Sequence, residues 1–210
     1  MLRIGLTGGI ATGKTLVAQY LQEAGAIVID TDQVAHQLMA PGGAAYSDVL
    51  KTFGQGILAG DGTFDRRALG ALIFNDAAAR AQLNSLVHPH VKAEIKRLES
   101  EYLAQAQNKQ FLLVVVIPLL FEVNMAHFVD ITVVVYCPED VQRQRLMARN
   151  GWSAEEAQAR MRSQLPIEDK VKKAEEVIDN SHDPDLTREQ VVVFLRELKN
   201  RFGWEPYHAA

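Results

Sequence analysis

Near the start of the chain, Gly8-Gly9-Ile10-Ala11-Thr12-Gly13-Lys14-Thr15 follows a short apolar run, Leu2–Leu6. It opens a stretch in which Val17, Leu21 and Ala24 recur at helical spacing, with Gly25 placed to end the helix. No other segment limits the fold so tightly. A Gly, four residues, then Gly-Lys-Thr is the spacing of a phosphate-binding loop set between a strand and a helix. Its glycines let the backbone turn N–H groups around phosphate oxygens. The helix beginning near Lys14 adds unpaired N–H groups and the positive end of its dipole. In such a loop Lys14 reaches the β- and γ-phosphates, and the Thr15 hydroxyl ligates Mg²⁺.

The rest of the chain is consistent with that start. Ala26–Ile29, Leu112–Ile117 and Ile131–Tyr136 are further short apolar runs, and Val177-Ile178 belongs to a fifth. Unbroken runs rich in Val and Ile, without alternation, are expected of parallel strands covered on both faces. The predicted fold is α/β: a three-layer α/β/α P-loop architecture with a parallel five-stranded sheet. The gap between the second and third strands is too long for a simple crossover. Val91, Ile95, Leu98 and Tyr102 make a helical stripe within it, so it reads as a mostly helical insertion. The expected parts are a core of residues 1–32, 108–138 and 174–210, an insertion of residues 33–107 and a lid of residues 139–173. Ser153-Ala154-Glu155-Glu156 has the capping-box pattern and should start a helix. Thr187-Arg188-Glu189-Gln190 is similar and is expected to open the last helix, burying Val191, Phe194, Leu198 and Phe202.

Composition removes several classes. Acids outnumber Lys plus Arg by 26 to 22, which argues against a protein that coats nucleic acid. The longest apolar run, Phe111–Phe121, falls short of the ~20 residues a membrane helix needs. Cys137 is the single cysteine, so no internal disulfide forms. Met1-Leu2-Arg3-Ile4-Gly5 lacks a secretory h-region, and the expected location is the cytoplasm. The six histidines show no metal-ligand spacing.

Which triphosphate chemistry the loop serves is narrowed by elimination. A guanine-reading Asn/Thr-Lys-x-Asp is absent; Asn108-Lys109-Gln110-Phe111 lacks the Asp. No Asp-x-x-Gly occurs, and the third strand ends in Val116-Ile117-Pro118 rather than an acid. A small-molecule kinase remains, which needs a base for an acceptor hydroxyl and cations over the transferring group. Asp32, just past the second strand, stands at the carboxyl edge where open α/β sheets bind ligands. It reads equally as the N-cap of a helix starting at Gln33. Asp30, two residues away, would share its side of an extended segment. Residues 143–173 carry eight Lys or Arg against four acids, with Arg145 and Arg149 on one helix face. They suit a lid over ATP or, alternatively, a solvated basic surface. A nucleotide-dependent switch without acceptor chemistry also stays open.

Longer strings resemble one family. Gly5-Leu6-Thr7-Gly8-Gly9-Ile10, Asp30-Thr31-Asp32 with Ala35-His36-Gln37-Leu38, and Leu86-Val87-His88-Pro89 are three of them. Asp61-Gly62-Thr63-Phe64-Asp65-Arg66 with Leu69 and Phe74, and Pro118-Leu119-Leu120-Phe121-Glu122, are two more. Arg145–Gly151, Arg160–Gln164 and Ala174–Ser181 complete the series. Together, across nearly the whole chain, they are similar to dephospho-CoA kinases. The resemblance implies transfer of the ATP γ-phosphoryl to the ribose 3′-hydroxyl of dephospho-CoA, with Mg²⁺. It implies Asp32 as the base, with Lys14, Arg145 and Arg149 stabilising the transferring group. Gly8 to Thr15 and Asn180 would bind ATP, Asn180 near the adenine, and Thr15 would hold the metal. His88, Pro89, Leu120, Phe121 and Glu122 would line the acceptor side, although His88 also reads as a packed histidine at a helix N-terminus. The partners implied are ATP and dephospho-CoA, with no nucleic acid or membrane, in a monomer or weak homo-oligomer. Two departures stand out. Val116 replaces the family's common Asp two residues before Pro118, and Glu175-Glu176 replaces its single Asp after Ala174.

Overall fold

The structure, a computed structural model, describes residues 1–106 and 109–207, without the side chains of Phe74 and Asn75. Asn108, the expected insertion boundary at 107/108 and the Phe74 side chain lie outside the described residues. The chain divides into two compact units, Met1–Asp30 with Leu103–Ala210, and Thr31–Tyr102. No described helix is long and apolar enough to cross a membrane.

The first unit holds strands β1 (Leu2–Gly8), β2 (Ile27–Asp30), β3 (Leu112–Val116), β4 (Ile131–Tyr136) and β5 (Glu176–Asp179). They form one parallel sheet in the order β2-β3-β1-β4-β5. Leu112, Leu113, Val114 and Val115 have no exposed surface, which is why β3 shows no apolar–polar alternation. One face is covered by α1 (Lys14–Glu23) and α9 (Pro184–Phe202). Val17 and Leu21 of α1 and Val191, Phe194, Leu195 and Leu198 of α9 pack there against Ile4, Leu6, Val114 and Val133. Each such buried side chain contributes about 1.5–3 kcal/mol. Toward the other face, α8 (Ile167–Val171) packs on β4, and Val129 and Leu120 close over Gly5. The unit also contains α6 (Glu139–Asn150) and α7 (Ala154–Arg162). Because β1 is central, the loop that leaves its carboxyl end lies mid-sheet, between the ends of β3 and β4.

Helix starts show both successes and corrections. Ser153 caps α7 through the full capping box with Glu156, as its sequence indicates. The last helix starts earlier than expected. Asp183 is its N-cap, Pro184 occupies the first turn, and Thr187 lies inside it. Asp followed by Pro is the stronger start signal, since Pro presets helical φ where an N–H has no partner anyway. Phe202 is 40% exposed and Leu195 is buried in its stead, because the buried stripe drifts over five turns.

The second unit is mostly helical: α2 (Thr31–Leu38), α3 (Tyr46–Phe53), α4 (Arg66–Asn75) and α5 (Ala77–Gln105). Tyr46 stacks on Phe64 with ring centroids 4.9 Å apart and donates its hydroxyl to Gly62 O at 2.6 Å. In α5 the buried stripe is Ala79, Leu83, Val87, Val91, Ile95 and Glu99; Leu98 and Tyr102 are only half-buried. The helix continues past Pro89, so His88 is in mid-helix rather than at an N-terminus. Proline inside a helix costs ~3 kcal/mol. Burial of Val87 and Val91 on either side offsets that cost. Asp32 is also reassigned. α2 begins at Thr31, directly after β2, so Asp32 occupies the first turn and is not an N-cap. Asp30 and Asp32 therefore share no extended segment. A carboxylate in the first turn is favoured by the helix dipole.

Candidate active site

The glycine-rich loop leaves β1 and enters α1 at Lys14. Gly13 is the N-cap residue and no side chain caps the helix, whose N-terminus is a favourable place for an anion. Gly13 has φ +94°, and a Cβ there would lie 2.0 Å from Asn180 Nδ2. Only glycine allows this approach. At Gly8 a Cβ would meet Val135 O at 2.5 Å, so β4 also presses on the loop.

Four side chains grip the loop's carbonyls. Lys14 Nζ donates to Gly9 O at 2.8 Å and Gly8 O at 3.2 Å. Thr12 Oγ1 donates to Gly9 O at 3.0 Å. Asn180, buried just past β5, donates from Nδ2 to Thr12 O at 2.7 Å. Lys170 of α8 donates to Gly8 O at 3.4 Å. Apolar contact adds to this: Ile10 and Ala11 of the loop pack with Leu146, Trp152, Ala157 and Met161. The basic segment is thereby seated on the loop. The Thr15 hydroxyl belongs to an exposed residue in the first turn of α1.

Of the two arginines sharing a face of α6, one joins this network. Arg145 Nη2 donates to Asn180 O at 2.8 Å, and Nη1 reaches Cys137 Sγ at 3.7 Å. Arg149 is exposed and donates Nε to Asn150 Oδ1 at 2.9 Å. Burial pushes the Cys137 thiol up, against the opposing pull of Arg145. Asn180 Oδ1 accepts from Thr187 Oγ1 at 2.9 Å, so that side chain is spent on protein atoms on both sides.

After β3, Leu120 is fully buried. Any part it plays toward a ligand therefore rests on its loop rather than its side chain. Phe121 is half-buried. Glu122 Oε1 pairs with Lys170 Nζ at 2.8 Å and accepts from Leu165 N at 3.0 Å. Val116 ends β3, buried, and its register partner on β2 is Asp30. A carboxylate residue thus stands one strand over from Val116. In the second unit Asp32 is exposed, Pro89 is exposed and His88 is half-buried. Burial, then the Lys92 ammonium, holds the His88 imidazole below its ordinary pKa.

Lys170 escapes sequence reasoning as anything but one charge in a basic run, because Glu168, Asp169, Lys172 and Lys173 around it look solvent-facing. The Thr187 hydroxyl escapes as well, read as a cap when it serves Asn180.

Comparison with known proteins accords with the geometry. The family profile described as dephospho-CoA kinase matches residues 2–185. A dephospho-CoA kinase of Carboxydothermus hydrogenoformans is 47% identical over 93% of this chain and 94% of its own. One from Geobacillus kaustophilus is 43% identical over 93% of this chain and 96% of its own. Among solved structures, a dephospho-CoA kinase from Campylobacter jejuni aligns with TM-score 0.66 at 30% identity, covering 95% of this chain and 98% of its own. A shikimate kinase from Aquifex aeolicus, at 14% identity and TM-score 0.51, covers 96% of this chain and 99% of its own and shares the fold alone. With the phosphate loop, the parallel sheet and these relatives in agreement over most of its length, the chain belongs to the dephospho-CoA kinase family.

Proposed function

We propose that this chain transfers the γ-phosphoryl group of ATP to the ribose 3′-hydroxyl of dephospho-CoA, giving ADP and coenzyme A. The observation that carries this reading is the uncapped loop at the N-terminus of α1, in a chain whose family match spans residues 2–185. Gly8, Gly9, Ile10, Ala11, Thr12, Gly13, Lys14 and Thr15 form the ATP site, with Asn180 behind them. Lys14 exchanges the Gly8 and Gly9 carbonyls for phosphate oxygens when ATP arrives. A loose phosphoryl transition state spreads charge over its oxygens, and fixed cations lower its energy. Lys14 and Arg145 supply that charge, and Arg149 joins them from the same face of α6. Asp32 takes the proton of the attacking 3′-hydroxyl as general base. His88 and Pro89, and the Leu120-Phe121-Glu122 loop, contribute to holding the acceptor.

The residues present suit Mg²⁺. This ion keeps several waters and needs only one or two protein oxygens beside the phosphates. Thr15 offers an exposed hydroxyl, and the described residues contain no cluster of three or more His, Cys, Asp or Glu that would cage a metal instead. When bound, Mg²⁺ neutralises charge on the phosphates. In this reading residues 1–32, 108–138 and 174–210 are the nucleotide core, residues 33–107 the acceptor insertion, and residues 139–173 a lid that excludes water. The enzyme works in the cytoplasm as a monomer or weak homo-oligomer.

The test is a coupled ADP-release assay with Mg·ATP, comparing dephospho-CoA, AMP, adenosine and no acceptor. ADP should form with dephospho-CoA alone, with coenzyme A identified by mass. Turnover with another acceptor in its place would overturn the substrate, and acceptor-independent hydrolysis would overturn the kinase reading.

A further inference from the structure

The chemistry above leaves the buried charge of Lys170 unused. Lys170 has no exposed side-chain surface. Its ammonium has three protons and three oxygen partners: Glu122 Oε1 at 2.8 Å, Pro118 O at 2.9 Å and Gly8 O at 3.4 Å. Each partner is shared with a working part of the unit. Gly8 O also receives Lys14 Nζ. Pro118 O also receives Thr7 Oγ1, at 3.1 Å, from the end of β1. Glu122 Oε1 also receives Leu165 N, in the turn between α7 and α8.

Burying an ammonium is costly unless it is paired and hydrogen-bonded. An apolar side chain of similar volume often stabilises such a place as well or better. The charge at this point is explained by what it holds. We propose that Lys170, braced by Glu122, is a positioning residue for the phosphate loop. It fixes the Gly8 carbonyl from behind, on the same oxygen where Lys14 rests, and ties that carbonyl to the Pro118–Glu122 loop and to the end of the basic segment at Leu165. It touches no phosphate; it acts through Gly8 and Lys14. The inference rests on reading Gly8 to Thr15 as the nucleotide site, and is independent of which acceptor is phosphorylated.

The test reads nucleotide affinity without acceptor, so a wrong acceptor would not disturb it. Lys170→Met keeps the length and removes the ammonium. Calorimetric titration with a non-hydrolysable Mg·ATP analogue should show a Kd raised about tenfold, the scale of one lost charged hydrogen bond. The KM for ATP should rise in parallel. A purely structural lysine would lower the unfolding temperature yet leave the folded fraction with wild-type nucleotide affinity, and that result would overturn the proposal. Should circular dichroism show Lys170→Met unfolded, Glu122→Gln decides, since it preserves shape and removes the negative charge of the brace. Weakened nucleotide binding supports the assignment. Wild-type nucleotide affinity in Glu122→Gln sinks it, whatever happens to the acceptor KM.

Discussion

Replacing Asn180 by Ala separates two roles for this residue, reader of the adenine or anchor of the phosphate loop. The residue is 4% exposed and its side chain makes two bonds, Nδ2 to Thr12 O at 2.7 Å and Oδ1 from Thr187 Oγ1 at 2.9 Å. Truncation removes both. The Thr187 hydroxyl has a fallback in Asp179 O at 3.5 Å, whereas the Thr12 carbonyl loses a buried donor. A buried acceptor left unpaired costs about 1–3 kcal/mol, and the small void adds to it, so a loss of about 2–4 kcal/mol is expected. Urea unfolding followed by far-ultraviolet circular dichroism measures it. Binding of Mg·ATP and Mg·GTP should weaken by the same factor, because an anchor acts on the phosphates that both share. A collapse of ATP over GTP preference, or a destabilisation below about 0.5 kcal/mol, would refute the anchor. Gly13 gives an internal control. Gly13→Ala alone forces a Cβ to 2.0 Å from Nδ2 at φ +94°. In the Asn180→Ala background that clash is gone and only the left-handed backbone penalty of about 1–2 kcal/mol remains. The two substitutions should be clearly less than additive, and strict additivity would mean the contact does not exist in solution.

Asp32→Ala should lower kcat by roughly 10²-fold or more while nucleotide affinity stays within about twofold; wild-type turnover would remove Asp32 as the base. The His88 imidazole should titrate below its ordinary ~6.5 in a proton–nitrogen NMR series, because burial penalises its charged form. Its folded pKa is depressed, so its contribution to stability is present above ~6.5 and lost as pH falls through the folded value; a histidine titrating above ~6.5 would contradict the half-buried placement. Cys137, buried with its thiol pKa raised, should react with a disulfide reagent only on unfolding, and prompt labelling of the native protein would show the β4–α6 turn open.

The parts of the fold that were legible share a cause. Strands β1, β3 and β4 are buried on both faces, so each needs an unbroken apolar run that announces itself. The α7 start was legible because its capping box is closed within four residues. Corrections fall where a residue's reading from its nearest neighbours loses to the element or the packing that holds it. Thr187 looks like a cap but gives its hydroxyl to Asn180. His88 beside Pro89 looks like a helix N-terminus, but both lie inside a helix, with Pro89 between buried Val87 and Val91. Asp32 looks like a cap for Gln33 but falls inside a helix that follows β2 without a turn.

The same contrast divides the site. The glycine and lysine spacing identifies the loop because those residues must meet phosphate wherever they are placed. What aims the loop is invisible in that spacing. A trans peptide is planar, so fixing the C=O of one residue points the N–H of the next the opposite way. The carbonyls of Gly8, Gly9 and Thr12 are each held by side chains, from Lys14, Lys170, Thr12 and Asn180. The N–H groups of Gly9, Ile10 and Gly13 are therefore directed away from those anchors before any ligand arrives. Lys170 and Asn180 lie more than 150 residues along the chain from the peptides they orient. On the proposed reading Lys14 is the anchor in this set that turns to phosphate, and its departure on binding would leave Gly8 held by Lys170, with Thr12 still on Gly9. A loop built this way keeps its aim while its own lysine turns to the nucleotide, which is a reason for a second ammonium to be buried behind the first.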